Sequence, residues 1–376
     1  MKVTKNKILL LVILFHTNIF CAVSQKLVEE FLVKQLNSSD KSSKIYILDQ
    51  IKNLKTKIFF PELKKLVNDK DTAIRLKSAY LLAKVYNNYS SIDVLIEILN
   101  TKPKIDNPTS PISQAKLLMK NQFRAEAVKM LGDIGDEKFV PIISKFTTDS
   151  EGIVADNSYF ALALMSKNKK IKPLPEILEF FYSGLKHPDA KVRLKAVKIL
   201  GELKDKNSVQ PLVLRLKDYD KTVRASAVIS LGLIGDISVF QDMAYLKTDK
   251  EDTVRSALAE SMGYLGESLI GSTDTVKIFQ LNKIKDLLIE LMNDFNGAVR
   301  VNAAVSLWKL GDTSGIEIIK KGLSSDDLDV KTFCIESVGN YGSEKEIKLI
   351  EEFLQDKDVF IQTVANVSLL KIYLKK

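Results

Sequence analysis

Histidine and cysteine are nearly missing from this chain. Its 376 residues include two cysteines, Cys21 and Cys334, and two histidines, His16 and His187. A transition-metal site draws on several imidazole or thiolate ligands, and a nucleophilic triad needs a base beside the nucleophile, so this supply excludes most such chemistry. No Cys-x-x-Cys, His-Glu-x-x-His, phosphate-loop or dinucleotide-binding glycine pattern occurs. Neighbouring acids such as Glu351 and Glu352 diverge on a helix and read as solvated surface. The expectation is therefore no enzyme, no cofactor, and no catalytic, cofactor-binding or metal-ligating residue. The chain does have the means to fold: hydrophobic residues make up 45% and charged residues 27% of it, which is too apolar for disorder.

The amino-terminal residues stand apart. Lys2, Lys5 and Lys7 precede an apolar run from Ile8 to Phe15, and Ala22-Val23-Ser24 follows. This is the three-part layout of a secretory signal peptide over residues 1–24, too short for a spanning helix. Without it the formal charge falls from +9 to about +6, because three lysines and no acids leave. Cys334 would then be the sole thiol, so no internal disulfide could form. The expected location is periplasmic or secreted, in a bacterial cell. Cys21 keeps open a membrane-anchored lipoprotein, a tether that the bulky Phe20 before it disfavours.

The rest of the chain, 25–376, repeats. Asp189-Ala-Lys-Val-Arg193, Asp220-Lys-Thr-Val-Arg224 and Glu251-Asp-Thr-Val-Arg255 have arginines 31 residues apart. The same frame places anchors at 44, 75, 124, 155, 193, 224, 255, 300, 331 and 362, and six of the nine spacings are 31. The three longer spacings mark insertions near 101–111, 166–175 and 267–275. After Arg224, the residues Ala227, Val228, Leu231 and Ile234 recur at helical spacing, Thr222 is placed as an N-cap, and Gly235-Asp236 ends the helix before a return helix begins. Each unit is thus a helical hairpin. Such a hairpin cannot bury its apolar faces alone, so the units must stack.

A small residue eight positions after the anchor, as at Gly132, Gly201, Gly232, Gly263 and Gly339, allows close helix approach. The acid four before the anchor and the arginine itself are expected to form a structural ladder rather than a phosphate-binding row. His187 sits in a turn, and Cys334 takes a small core position filled elsewhere by Ala196 or Ala227. Trp308 replaces the small residue in its unit and is expected to pack against the third insertion. Leu27 to Leu36 and Val359 to Leu374 read as helical caps at the two ends.

The Asp-x-x-Val-Arg, Leu-Gly, Ile-Gly-Asp pattern, nearly intact from Asp220 to Asp236, resembles the HEAT-like repeats first named from phycobilin lyases. The resemblance implies an all-α fold, an α-solenoid superhelix of about ten stacked helical hairpins. In such a superhelix the second helix of each unit normally lines the inner surface. Here those helices mix signs, as in Lys64, Lys65, Glu97, Arg215, Glu290 and Lys320. A nucleic-acid groove would be uniformly basic, so nucleic acid is not expected as a partner.

The leading expectation is an exported scaffold that binds another protein along its curved surface. The alternative is a lyase-type enzyme or subunit holding a small molecule in the concavity. The candidate protein-binding patch joins the basic second insertion, Lys167, Lys169, Lys170 and Lys172, to the consecutive Phe180, Phe181 and Tyr182, which cannot all face one core. Export with cleavage after Ser24 predicts a native protein that begins at Gln25 without added acyl mass. N-terminal sequencing and intact mass check this, and an acylated start at Cys21 would refute it.

Overall fold

Several units open on an aspartate that caps a helix. Asp220 accepts hydrogen bonds from the backbone N–H groups of Thr222 and Val223, Asp71 from Ala73 and Ile74, and Asp327 from Asp329 and Val330. The acid four before the anchor is therefore the N-cap, and Thr222 already lies inside the helix. The short carboxylate reaches the helix's free N–H groups and carries the charge that a helix start favours. Eleven residues after the anchor the helix ends on left-handed backbone, at Gly235 with φ 76° and Gly135 with φ 77°. The following Asp236 and Asp136 cap the next turn through Ser238 and Lys138 N–H. This accounts for the Gly-Asp pair in the repeat.

In this computed structural model residues 24–54, 56–104, 107, 109–168, 170 and 175–375 are described, and the regular structure among them is helical. In chain order the helices are α1 (Gln25–Leu36), α2 (Lys41–Leu54), α3 (Phe60–Leu66), α4 (Thr72–Tyr86), α5 (Ile92–Asn100) and α6 (Pro111–Ile134). Next come α7 (Val140–Ser144), α8 (Gly152–Lys167), α9 (Pro175–Gly184), α10 (Ala190–Leu203), α11 (Val209–Val213), α12 (Lys221–Ile234) and α13 (Phe240–Ala244). The last are α14 (Asp252–Glu267), α15 (Thr275–Leu291), α16 (Gly297–Lys309), α17 (Ile316–Leu323), α18 (Leu328–Tyr341) and α19 (Val359–Tyr373), with two 3-10 turns, Glu344–Leu349 and Glu351–Gln355, before α19.

The anchor helices α2, α4, α6, α8, α10, α12, α14, α16 and α18 lie side by side in that order, and α19 follows α18. Their seam is a glycine of one helix against a small residue of the next. A carbon added at Gly232 would lie 2.8 Å from Ser261 Cβ, and one at Gly339 would lie 2.6 Å from Ser368 Cα. Glycine is needed there because the neighbouring backbone occupies the space of a side chain.

The stack does not stop at α19. That helix packs on α1 and α2, so the ten anchor helices close into a ring. Across the junction Thr363 Oγ1 donates to Ser43 Oγ at 3.0 Å, and the rings of Tyr46 and Phe360 meet edge-on at 5.5 Å. Val28, Leu32 and Leu36 of α1 are fully buried. In α19 ten residues from Ile361 to Ile372 are buried, on all sides of the helix. A capping helix would keep a polar outer face, and one that is apolar all round is an interior helix. The two end helices are therefore not caps. Together α1 and α19 form a composite hairpin that completes the ring, which replaces the open, gently curved superhelix that the repeat alone suggests.

The start of α1 also differs from expectation. The helix begins at Gln25, and Ser24 Oγ accepts from Leu27 N–H at 3.4 Å, so cleavage after Ser24 would remove a cap, typically worth about 1 kcal/mol. Residues 1–23, the bulk of the signal segment, lie outside the described residues. No helix among the described residues is long and apolar enough to cross a membrane.

The arginine ladder exists, but its acid is a different one. Arg193 Nε and an Nη donate to Asp218 at 2.8 Å each. Arg224 reaches Asp249, Arg124 reaches Asp149, and Arg255 reaches Asp294. Each partner is six residues before the next anchor, in the turn that leads into the next unit. The same guanidinium binds its own turn: Arg224 donates to the carbonyls of Asp218 and Tyr219 at 2.9 and 3.2 Å. Each arginine thereby fastens two successive turns, and its donors are spent on structure.

Burial alone would raise the Asp218 carboxyl, but hydrogen bonds from Arg193 and from Asp220 N–H outweigh it and hold the group below the usual carboxylate range. A carboxyl held low in the fold stabilises it fully above the unfolded value near ~4 and loses that contribution as pH falls through the folded value. Asp218→Asn is therefore expected to cost about 3–5 kcal/mol at neutral pH, the cost of breaking a buried pair, and this gap should shrink below about pH 4. Paired thermal melts check it, and a gap constant from about pH 7 to about pH 3 would contradict it. Removing residues 357–376 opens the ring and strips the partner from α1, α2 and α18. The product is expected to associate or to melt earlier, and a monomer with unchanged Tm by light scattering and calorimetry would show that closure adds nothing.

Candidate functional site

The ring fixes which helices face inward. Lys129 of α6 pairs with Glu202 of α10 at 2.6 Å, with α8 between them. Lys52 of α2 pairs with Asp133 of α6 at 3.1 Å, with α4 between them. Side chains of helices two places apart can meet only on a concave face. The anchor helices therefore line the interior, and the short second helices form the outside. This reverses the expected arrangement, because the glycine seams draw the anchor helices together. The interior positions are those two, five and nine after the anchor, joined by Lys52, eight after its own.

Two polar groups of side chains occupy this face. Around α2, α4 and α6 the charges are paired: Asp133 accepts from Tyr80 and Lys52, its backbone carbonyl accepts from Lys84, and Lys77 pairs with Asp49. Burial would raise the Asp133 carboxyl, but Tyr80, Lys84 and Lys52 together hold it low.

Across α14, α16 and α18 the arrangement is open. A recess of about 70 Å³ is lined by residues including Glu260, Tyr264, Asn302, Ser306, Lys309 and Glu336. Tyr264 donates to Glu260 at 2.9 Å. Lys309 pairs with Glu267 at 3.0 Å and lies 3.9 Å over the Tyr264 ring. Burial, then Glu260, pushes the Tyr264 hydroxyl up, and burial, then Glu267 and Glu260, does the same for Tyr341.

Trp308 stands at the α16 position where other units carry glycine and is buried. Its ring edge comes up to Gly342 of the next unit, so α16 and α18 cannot close on each other there. Leu310 and Leu281 of α15 share the space at Gly266. Cys334 is fully buried against Gly322, and burial pushes its thiol up to about 12. His187 accepts from Asp189 N–H within its turn. Among the described residues no group of three metal-ligating side chains occurs.

The residues expected to form the binding patch are only partly brought together. Phe181 is 2% exposed and belongs to the core, whereas Phe180 is 45% exposed and stacks on Tyr159 at 4.9 Å. Tyr182 donates to Asp205 at 2.6 Å. Lys167 is exposed and lies in the field of Lys204 and Asp205. Lys170 lies apart, beside Gly135 and Asp136. Lys169 and Lys172 lie outside the described residues.

The insertions give more helix than loop. After the first, α6 starts thirteen residues ahead of Arg124 and exposes Ile112, Leu118 and Met119. After the third, α15 runs for 17 residues and exposes Val276, Ile278 and Phe279. Periodicity at 112–119 and 275–283 could have revealed these extensions.

Residues 178–263 and 284–369 match the sequence profile of HEAT repeats. The chain carries HEAT repeats and is an all-α solenoid. Among solved structures, the complex of CpcE and CpcF of phycocyanin lyase from Nostoc sp. PCC7120 is 15% identical, with a TM-score of 0.44 over 63% of this chain and 92% of that one. Human deoxyhypusine hydroxylase is 16% identical, with a TM-score of 0.32 over 76% and 96%. An engineered protein is 18% identical, with a TM-score of 0.32 over 93% and 99%. At this level of likeness no chemistry transfers. Comparison with curated proteins gives no match.

Proposed function

We propose that this HEAT-repeat solenoid is a non-catalytic scaffold that binds another protein outside the cytoplasm. The observation that carries the reading is the pair of insertion helices. α6 and α15 extend beyond the regular repeat and expose large apolar side chains, Ile112 at 69% and Phe279 at 59% among them. Exposed apolar clusters of this kind mark contact surfaces more often than isolated exposed residues do. Export is supported by the lysines and apolar run of residues 2–15. The non-catalytic reading is supported by His187 and Cys334, which are held in a turn and in the core. The lyase-type alternative asks for a pocket of roughly 300–1,000 Å³ in the concavity, where the recess across α14, α16 and α18 measures about 70 Å³; the hollow of about 430 Å³ beside Tyr245 and Lys283 lies on the outer helices.

Capture of partners from the native envelope fraction tests this. The triple substitution Ile112→Ser, Leu118→Ser and Met119→Ser is expected to lower capture of the main partner at least tenfold with Tm unchanged, since these side chains are already exposed. Equal capture by the variant would remove this surface from the proposal, and capture of nothing by the wild-type protein would remove the scaffold reading.

A further inference from the structure

The four arginines that grip an acid in the next turn are not equally covered. The guanidinium of Arg193 lies 4.4 Å from the centre of the Tyr219 ring, that of Arg255 4.3 Å from Phe295, and that of Arg124 5.8 Å from Phe146, whereas Arg224 meets no ring among the described residues. Tyr219, Lys250 and Phe295 each stand five residues before an anchor. The place that a ring fills over Arg193 and Arg255 therefore falls, over Arg224, to Lys250, which has no π face. Tyr245, also in the next unit, donates to Leu216 O at 3.3 Å instead. The side chain of Arg224 is accordingly 10% exposed, against 3% for each of the other three.

A second observation concerns the turns on either side. Helices α12, α14 and α16 are consecutive in the stack, so the turn of Lys250 lies between those of Tyr219 and Phe295. These two are the most exposed large apolar side chains among the described residues, Phe295 at 83% and Tyr219 at 77%. Tyr219 is also held in place, its hydroxyl donating to Pro188 O at 3.0 Å. The polar groups nearby are engaged with one another: Lys221 donates to Glu251 at 3.1 Å and Asn296 to Asp252 at 2.6 Å.

From this pattern we propose that the gap over Arg224, between Tyr219 and Phe295, is a docking site for an aromatic side chain of the bound protein. The inserted ring takes the place that the chain's own rings take in the neighbouring turns. It lies on the guanidinium and meets an exposed ring on each flank. A guanidinium floor repels a cation, and an aliphatic side chain gains no attraction to the charge. The proposal rests on the scaffold reading. It is continuous with the surface offered there, because Met119 of the exposed α6 segment also stands five residues before its anchor, on the same edge of the ring.

The test uses the full folded chain, followed by ligand-observed NMR with three peptides: acetyl-Gly-Trp-Gly-amide, acetyl-Gly-Leu-Gly-amide and acetyl-Gly-Arg-Gly-amide. Saturable binding of the tryptophan peptide is expected, at least tenfold tighter than of either other peptide. Two variants locate it. Lys250→Tyr gives the chain a ring of its own over Arg224 and should weaken tryptophan binding at least tenfold, with Tm unchanged or raised. Lys250→Ser leaves the gap open and should bind within twofold of the wild-type protein. Should Lys250→Tyr melt early, Tyr219→Ser with Phe295→Ser takes its place, with the same loss expected. Absence of saturable binding, equal binding of the leucine or arginine peptide, full binding by Lys250→Tyr, or equal loss in both Lys250 variants would overturn the proposal. Wild-type protein that binds the tryptophan peptide but captures nothing from the envelope fraction would remove the scaffold reading and leave the ring site standing.

Discussion

Every hairpin in this chain has two apolar flanks and needs a neighbour on each. An open array leaves two flanks bare and must add capping helices with polar outer faces. This chain instead joins its first helix to its last, so α19 is buried on all sides and α1 gives it the outer partner that its own segment lacks. From that closure the rest of the architecture follows. A closed ring has a fixed inside, and the inside belongs to whichever helices approach most closely. The glycine seams, Gly232 on Ser261 and Gly339 on Ser368 among them, assign it to the anchor helices.

The arginine ladder holds the same ring from one edge. A guanidinium with five donors can bind a carboxylate side-on and still reach backbone carbonyls, and Arg193 and Arg224 do both. Because each arginine spans its own turn and the next, the angle between units is set by one rigid planar group. Arg300 shows what happens without the partner acid. It binds the carbonyls of Asp294 and Phe295, but Ser325 occupies the place of the acid in the next unit. The ladder is interrupted there, between α16 and α18, the same pair that Trp308 keeps apart and between which the recess opens.

Function in such a fold sits where the repeat is broken. The broken places are the two elongated helices and the unit with Trp308 at its seam. They lie on different surfaces: α6 extends from the edge of the inter-unit turns, the extended end of α15 from the opposite edge, and the recess faces the interior.

The sequence by itself determined the unit, its number and its order. Caps, helix stops, small seam positions and the 31-residue spacing are local or nearest-neighbour properties, and each is written in the residues that carry it. The burial of Cys334 and the exposure of at least one of Phe180, Phe181 and Tyr182 were legible for the same reason. Only the tertiary structure decided the partner of each arginine, the inward face and the meeting of the ends. Asp218 lies 25 residues from Arg193, and the pairing depends on how two turns stack. Whether ten hairpins make an arc or a ring depends on small rotations per unit that add up around the stack. No single residue encodes that sum, although the all-round burial of α19 records its result.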